Sequence, residues 1–207
     1  MPTHGSHDKS KGAVADILKG KPVDSGKLFS YFKVFMGDRG VAAITPSSRY
    51  LVRRVMKALN LEHSKDIIEY GAAQGVMTRA MLGKLRKDGN VLAIELNKDL
   101  FESLRDVSDP RLTIYNGDVR EIDQLALRFG VGSADVIFSG IPFAFLSPED
   151  RHTLLKKTAH LLRPGGRFVA YQVTTHLIPL LKQYFKKVRI ELEIRNLPPH
   201  FVFTAFK

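Results

Sequence analysis

A doubly wound α/β fold, with a Rossmann-like, mostly parallel sheet of seven strands, is what this sequence predicts. Three observations predict it. From Asp66 onward, short apolar runs alternate with segments of helical periodicity, the pattern of repeated strand–helix–strand units. The first run, Asp66 to Tyr70, enters a small-residue turn, Gly71-Ala72-Ala73-Gln74-Gly75, at which a helix opens. Polar residues then fall at the carboxyl ends of successive predicted strands: Glu69, Glu95, Asp118 and Ser139. Ligands gather beyond those ends in sheets of this kind.

The chain of 207 residues is long enough for one domain with a full core and some decoration. Apolar content of 44% and charged content of 26% are ordinary for a globular chain. The chain has no cysteine, which excludes disulfides and thiolate metal sites. No apolar run reaches the length needed to span a bilayer. The first ten residues carry no apolar stretch of the secretory kind, so the expected location is the cytoplasm. The net charge of +11 favours a polyanionic partner, either nucleic acid or an anionic membrane leaflet. Charge does not choose between them.

In order, residues 1–24 are polar and expected to be loosely ordered. Residues 25–37 are predicted to form a helix, capped by Ser25 and ended by Gly37, with Leu28, Tyr31, Phe32 and Phe35 on one face and lysines beside it. Such a face suits either an interfacial membrane helix or a helix packed on the main domain. A second helix starts after Ser47 or Ser48, with Leu51, Val52, Val55, Met56 and Leu59 as its core face and Arg49, Arg53, Arg54 and Lys57 as a basic stripe. Residues 25–60 therefore form an N-terminal helical extension over a domain of 61–207. Strands are predicted at 66–70, 91–95, 111–115, 134–139, 168–172, 188–195 and 201–206. Helices are predicted at 75–87, 98–106, 121–128, 148–162 and 176–186. Ser147-Pro148-Glu149-Asp150 is a helix start, with a cap, proline in the first turn and acids at the positive end of the helix dipole.

The turn after the first strand has a chemical reading of its own. Small residues let backbone approach a ligand closely, and the N–H groups that open a helix face whatever sits there. Glu95 ends the second strand twenty residues after Gly75. That spacing fits a unit whose second acid grips ribose hydroxyls.

These residues together resemble the class I S-adenosylmethionine-dependent methyltransferases over roughly residues 40–207. Glu69-Tyr70-Gly71-Ala72-Ala73-Gln74-Gly75 is similar to their first motif, with Ala73 where the middle glycine is usual. Alanine adds one methyl group there, which a slightly wider turn accepts. The resemblance implies S-adenosyl-L-methionine as cofactor and S-adenosyl-L-homocysteine as product. It places Glu69, Gly71, Ala72, Ala73 and Gly75 at the methionine half. Glu95 falls at the ribose, Asp118 at the adenine amine, and Leu96, Val119 and Ser139 in the same cofactor site. Leu162-Arg163-Pro164-Gly165-Gly166-Arg167-Phe168 is similar to the turn before the fifth strand of that family.

Within the class, three stretches resemble the bacterial phospholipid N-methyltransferases, which methylate the amine of phosphatidylethanolamine: Thr45 to Arg49, Ser139 to Phe143, and Asn196 to Val202. That resemblance implies a peripheral protein on the inner face of the membrane, with an anionic surface and a phospholipid as partners. The alternative is a ribosomal-RNA adenine N6-methyltransferase, in which asparagine stands where this chain has Ser139. A third reading is a non-catalytic binder on the same fold. For a lipid amine, the candidates that handle its proton are Tyr171, Tyr50 and His200. Ser47, Arg49, Ile141, Pro142 and His176 are the candidates that hold the acceptor, with Arg49 on the lipid phosphate. No metal cluster and no obligate protein partner is read from the sequence.

Overall fold

In a computed structural model, which describes residues 47–207, the apolar runs form one sheet of seven strands. The predicted helix at 25–37 and the residues up to Pro46 lie outside the described part. Helix α1 (Arg49–Leu59) comes first, capped by Ser48, whose Oγ accepts from the Leu51 amide at 3.2 Å. Then follow β1 (Asp66–Tyr70), α2 (Val76–Leu82), β2 (Asn90–Glu95), α3 (Lys98–Leu104), β3 (Leu112–Asn116) and α4 (Ile122–Arg128). The second half runs β4 (Ala134–Ser139), α5 (Pro148–Leu161), β5 (Leu162–Gln172), α6 (Leu177–Tyr184), β6 (Lys187–Glu193) and β7 (His200–Phe206).

The strand order is β3-β2-β1-β4-β5-β7-β6. Strands β1 to β5 are parallel, and β7 runs antiparallel to both of its neighbours. Strand β6 is thus parallel to β5, so their carboxyl ends share one edge of the sheet.

The central strands are buried on both faces, which is why they read as near-continuous apolar runs. Alternate residues feed two cores. Ile68, Tyr70, Leu92, Ile94, Ile137, Phe168 and Phe203 pack under α4, α5 and α6. Ile67, Val91, Ala93, Val136, Phe138, Val169 and Val202 pack under α1 and α2. Helix α1 contributes Leu51, Val55, Met56 and Leu59 to that second core, each nearly inaccessible to water.

Most predicted boundaries move by two residues or fewer, and two move further. Helix α2 stops at Leu82 rather than 87, because Gly83 follows and its N–H closes the last turn on the Arg79 carbonyl. The predicted turn at 163–167 is instead part of β5. Pairing slips from Ala134 with Leu162 to Val136 with Arg167, so residues 163–166 bulge outward. Gly165 takes φ +77° inside that bulge, which supplies the left-handed residue it needs.

Candidate functional site

Strand β1 ends at Tyr70, and the chain turns at once. The amides of Gly71 and Ala72 both donate to the Ile94 carbonyl on β2, at 2.9 and 3.3 Å. Gly71 has φ +72°, and a Cβ there would lie 2.6 Å from the Ile141 side chain. Gly75 has φ +78°, and a Cβ would lie 2.8 Å from Leu104 Cδ1. Both positions need glycine on conformation and on space.

Ala73 is not the mild departure its single methyl implied. It takes φ +48°, a left-handed conformation that costs an L-residue about 1–2 kcal/mol. What holds it there is Glu95, whose Oε2 accepts from the Ala73 amide at 2.8 Å. Glu95 Oε1 accepts from the Asn97 amide at 2.8 Å. This one carboxylate therefore draws the β1 turn and the β2 turn together. Burial raises its pKa and these backbone donors pull it back, with a net upward shift. Ala73→Gly is expected to stabilise the protein by up to about 1 kcal/mol by removing the strain. Urea unfolding of the two proteins side by side checks this.

Glu69 points to the α1–α2 side of the sheet and is fully buried. Its Oε2 accepts from Thr78 Oγ1 at 2.6 Å, while Oε1 has no partner. Burial pushes its pKa up to about 8; the Thr78 hydrogen bond opposes that rise and the Glu95 charge adds to it. At neutral pH it is mostly the uncharged acid. Between its ordinary value of 4.5 and about 8, the folded state holds a proton that the unfolded chain releases. Its contribution to stability is thus full below pH 4.5 and lost as pH rises through 8. Cofactor-free Glu69→Gln is expected to lose less stability than the parent between pH 6 and pH 9 in chemical denaturation.

The β4 end meets the β1 turn edge to edge. The Gly140 amide donates to the Tyr70 carbonyl at 2.8 Å. A Cβ on Gly140 would lie 2.9 Å from the Gly71 carbonyl and 3.5 Å from Tyr171 Oη. Gln172, nearly buried at the end of β5, clamps the next stretch. Its Nε2 donates to the Ile141 carbonyl at 2.9 Å, and its Oε1 accepts from the Phe143 amide at 3.2 Å. Sequence reading missed Gln172; the signal was a polar residue closing an otherwise apolar strand at its ligand end. Ser139 is fully buried with no partner for Oγ. Ile141 and Pro142 are half-buried in the clamped loop.

Tyr171 stacks on Phe138 with ring centres 5.9 Å apart, and His200 lies 5.5 Å away on its other side. Burial raises the Tyr171 pKa, the hydrogen bond to the Ser47 side chain lowers it, and Glu69 raises it further, so the hydroxyl stays a neutral phenol. His200 Nδ1 lies 2.8 Å from the Pro198 carbonyl, which only accepts, and 3.0 Å from Asn196 Nδ2, which also donates to that carbonyl. The tautomer with its hydrogen on Nδ1 makes the Pro198 bond and leaves Nε2 with its lone pair. Burial pulls the His200 pKa below its ordinary value, against the Pro198 hydrogen bond. The imidazole is therefore neutral at pH 7. Asn196, buried, seats this turn on α1: its Oδ1 accepts from the Ser48 amide at 2.8 Å and its Nδ2 donates to the Pro198 carbonyl at 3.0 Å.

The remaining predicted residues stand around this centre. The Tyr50 ring is contacted by two guanidinium groups, Arg49 at 4.9 Å and Arg195 at 4.3 Å from its centroid. Arg49 also donates to Tyr50 Oη at 2.9 Å, so it does not simply continue the exposed row of Arg53 and Lys57. Arg54 leaves that stripe as well, bound to Glu191 and Glu193. Asp118, beyond β3, accepts from the Arg120 amide at 2.9 Å and from its guanidinium at 2.6 Å. Burial raises its pKa, but the Arg120 hydrogen bonds outweigh it and leave the carboxyl below its ordinary value. Val119 is buried in the core, Leu96 is half exposed, and His176 stands exposed at the start of α6.

The cradle fits a methionine-bearing nucleoside. Two left-handed glycines keep the β1 turn open, carboxylates stand beyond β2 and β3, and buried Glu69 and Ser139 each have a polar atom to spare. Among the described residues, no three His, Asp or Glu are grouped to hold a metal ion. No helix there is long and apolar enough to cross a membrane.

Comparison with known proteins agrees with this fold. Residues 67–166 match a methyltransferase-domain family. An ornithine lipid N-methyltransferase from Singulisphaera acidiphila is 28% identical over 174 residues, covering 81% of this chain and 88% of that protein. A ribosomal RNA small subunit methyltransferase A from Parasynechococcus marenigrum is 33% identical over 97 residues, covering 46% of this chain and 31% of that one. Among solved structures, precorrin-6y C5,15-methyltransferase from Geobacter metallireducens superposes with a TM-score of 0.65 at 16% identity, covering 80% of this chain and 92% of that one. That likeness shows the fold.

Proposed function

Since this chain is a class I S-adenosylmethionine-dependent methyltransferase, we propose that it methylates the amine of an amino lipid at a membrane surface. The observation that carries this reading is the likeness to the ornithine lipid enzyme, which extends over 88% of that protein. The likeness to the ribosomal RNA enzyme covers 31% of its length. The acceptor class is phosphatidylethanolamine or a related amino lipid.

Under this reading the cofactor supplies a methyl group carried on a sulfonium, and the chain's own residues orient and deprotonate. The β1 turn, Glu69 and Ser139 enclose the methionine half. Glu95 accepts from the ribose hydroxyls with the lone pairs its backbone bonds leave over. Asp118 accepts from the adenine amine, and Leu96 and Val119 border the ring. An amine arriving as ammonium must give up a proton before its lone pair is available. His200 Nε2 is the proton acceptor, because its imidazole is neutral and the tautomer that donates from Nδ1 to Pro198 leaves Nε2 a lone pair. Tyr171 Oη, at the meeting point of the β1 and β4 turns, orients the amine as a neutral hydroxyl. Ser47 holds Tyr171, and Ile141 and Pro142 shape the wall under the Gln172 clamp. Arg49 and Tyr50 take the lipid phosphate, and His176 lies on the acceptor's outer side.

The test is transfer of radiolabelled methyl to vesicles containing phosphatidylethanolamine or ornithine lipid, with bare ribosomal RNA in parallel. Label is expected in the lipid fraction. Label in RNA alone overturns the reading and makes Ser139 to Phe143 a base pocket.

A further inference from the structure

The exposed large aliphatic side chains of the described residues are not scattered evenly. Val76, Leu96, Val173, Ile194 and Leu197 all lie just past the carboxyl ends of strands, around the mouth of the site. Two of them stand out: Ile194 is 70% exposed and Leu197 is 76% exposed. Both belong to the turn between β6 and β7, and that turn is not loose. Asn196, between them, is 3% exposed and bonded to Ser48 and Pro198. The turn is thus anchored by its polar residue and holds its aliphatic residues outward. Ile190 and Leu192 continue the row back along the edge strand β6, at 41% and 46% exposure. Large aliphatic groups presented this way to water mark an interaction surface.

The charges beside the row say what it meets. Arg195 sits between Ile194 and Asn196, paired with Glu193 at 2.8 Å and lying on the Tyr50 ring, with Arg49 on the same ring. Arg53 is exposed one turn further along α1. The whole chain carries +11. Aliphatic tips flanked by arginines and an amphipathic tyrosine make the composition of a surface that enters the headgroup region of an anionic bilayer.

We propose that the β6–β7 turn, with Ile194 and Leu197 at its tip and the β6 edge row behind it, docks this protein on an anionic membrane surface. The proposal rests on the amino-lipid reading and deepens it, since the same turn seats His200 through Pro198. Docking there sets the site mouth against the bilayer, so a lipid amine reaches His200 and Tyr171 with its acyl chains still in the membrane.

The test uses the full chain and vesicles of phosphatidylglycerol and phosphatidylcholine, which hold no amino lipid and so report docking apart from acceptor recognition. Ile194→Ser with Leu197→Ser is expected to lower vesicle partitioning roughly tenfold or more. Calorimetric affinity for S-adenosylhomocysteine is expected to stay at the parent value, which shows the variant folded. Leu127→Ser is the control: Leu127 is 83% exposed near the end of α4, which returns to the opposite edge of the sheet. It is expected to partition like the parent. The proposal is overturned if the double variant partitions like the parent, or if Leu127→Ser weakens partitioning as much. It is also overturned if the double variant only turns a dimer into a monomer in sedimentation velocity, which assigns the row to a second copy. Intact docking without methyl transfer to any amino lipid would instead reject the proposed acceptor and leave the docking surface standing.

Discussion

Glu95→Ala is expected to weaken cofactor binding by at least about 100-fold, or about 2.8 kcal/mol at 1.4 kcal/mol per tenfold. The reason lies in two backbone bonds as much as in any ribose contact. Glu95 Oε1 and Oε2 accept from Asn97 and Ala73, each at 2.8 Å. A hydrogen bond to a charged group contributes roughly 1.5–3 kcal/mol. Truncation removes both, and water at the site mouth restores part of the loss. It also frees Ala73 from the one observed bond that opposes its left-handed strain, so the turn relaxes away from the cradle. Stability is expected to fall alongside affinity. Glu95→Gln keeps an acceptor for one of the two donors and turns an N–H group toward the other. It is expected to lie between the parent and the alanine variant. Titration calorimetry with S-adenosylhomocysteine reads all three. Parent-like affinity in Glu95→Ala removes Glu95 from the site.

The same carboxylate marks how far the sequence could be read. Its place at the end of a strand, twenty residues after Gly75, was visible in one dimension, because strand ends in a parallel sheet follow directly from apolar runs and their stops. Its bridging of two turns was not, because that depends on the β1–β2 register, which places Tyr70 beside Ile94. The Ala73 strain was invisible for a related reason: a residue name carries no φ. Gln172 was missed because its work is done on backbone groups 29 and 31 residues away, across two strand ends. The bulge in β5 was read as a turn, since proline and two glycines look alike in either; what decides is pairing with β4 on both sides of it. The apolar rim also needed the third dimension. Val173, Ile194 and Leu197 are ordinary aliphatic residues in the sequence, and only the parallel run of β5 and β6 brings them to one edge.

His200→Gln is expected to lower kcat for amine methylation roughly 10²- to 10³-fold, the range for a lost proton acceptor, with cofactor affinity nearly unchanged. Tyr171→Phe is expected to cost less, roughly tenfold, since it removes an orienting hydroxyl and leaves the Phe138 stacking in place. Tyr50→Phe separates the rim from the centre: its hydroxyl accepts from Arg49, so the expected change is in KM for the lipid. The pH profile distinguishes a base from a merely structural histidine. Burial lowers the folded pKa of His200 from 6.5, so the imidazole is neutral at pH 7 and gains its proton only in more acidic solution. The parent's rate should therefore hold near neutral pH and fall as pH drops through that lowered value. The unfolded chain takes up this proton first, so the histidine's contribution to stability is also present above pH 6.5 and lost below it. Rates are compared where denaturation curves show each protein folded. A glutamine variant that keeps the acid limb of the profile shows that another group takes the proton. Loss of that limb together with the fall in kcat assigns it to His200 Nε2, the nitrogen that Pro198 leaves open.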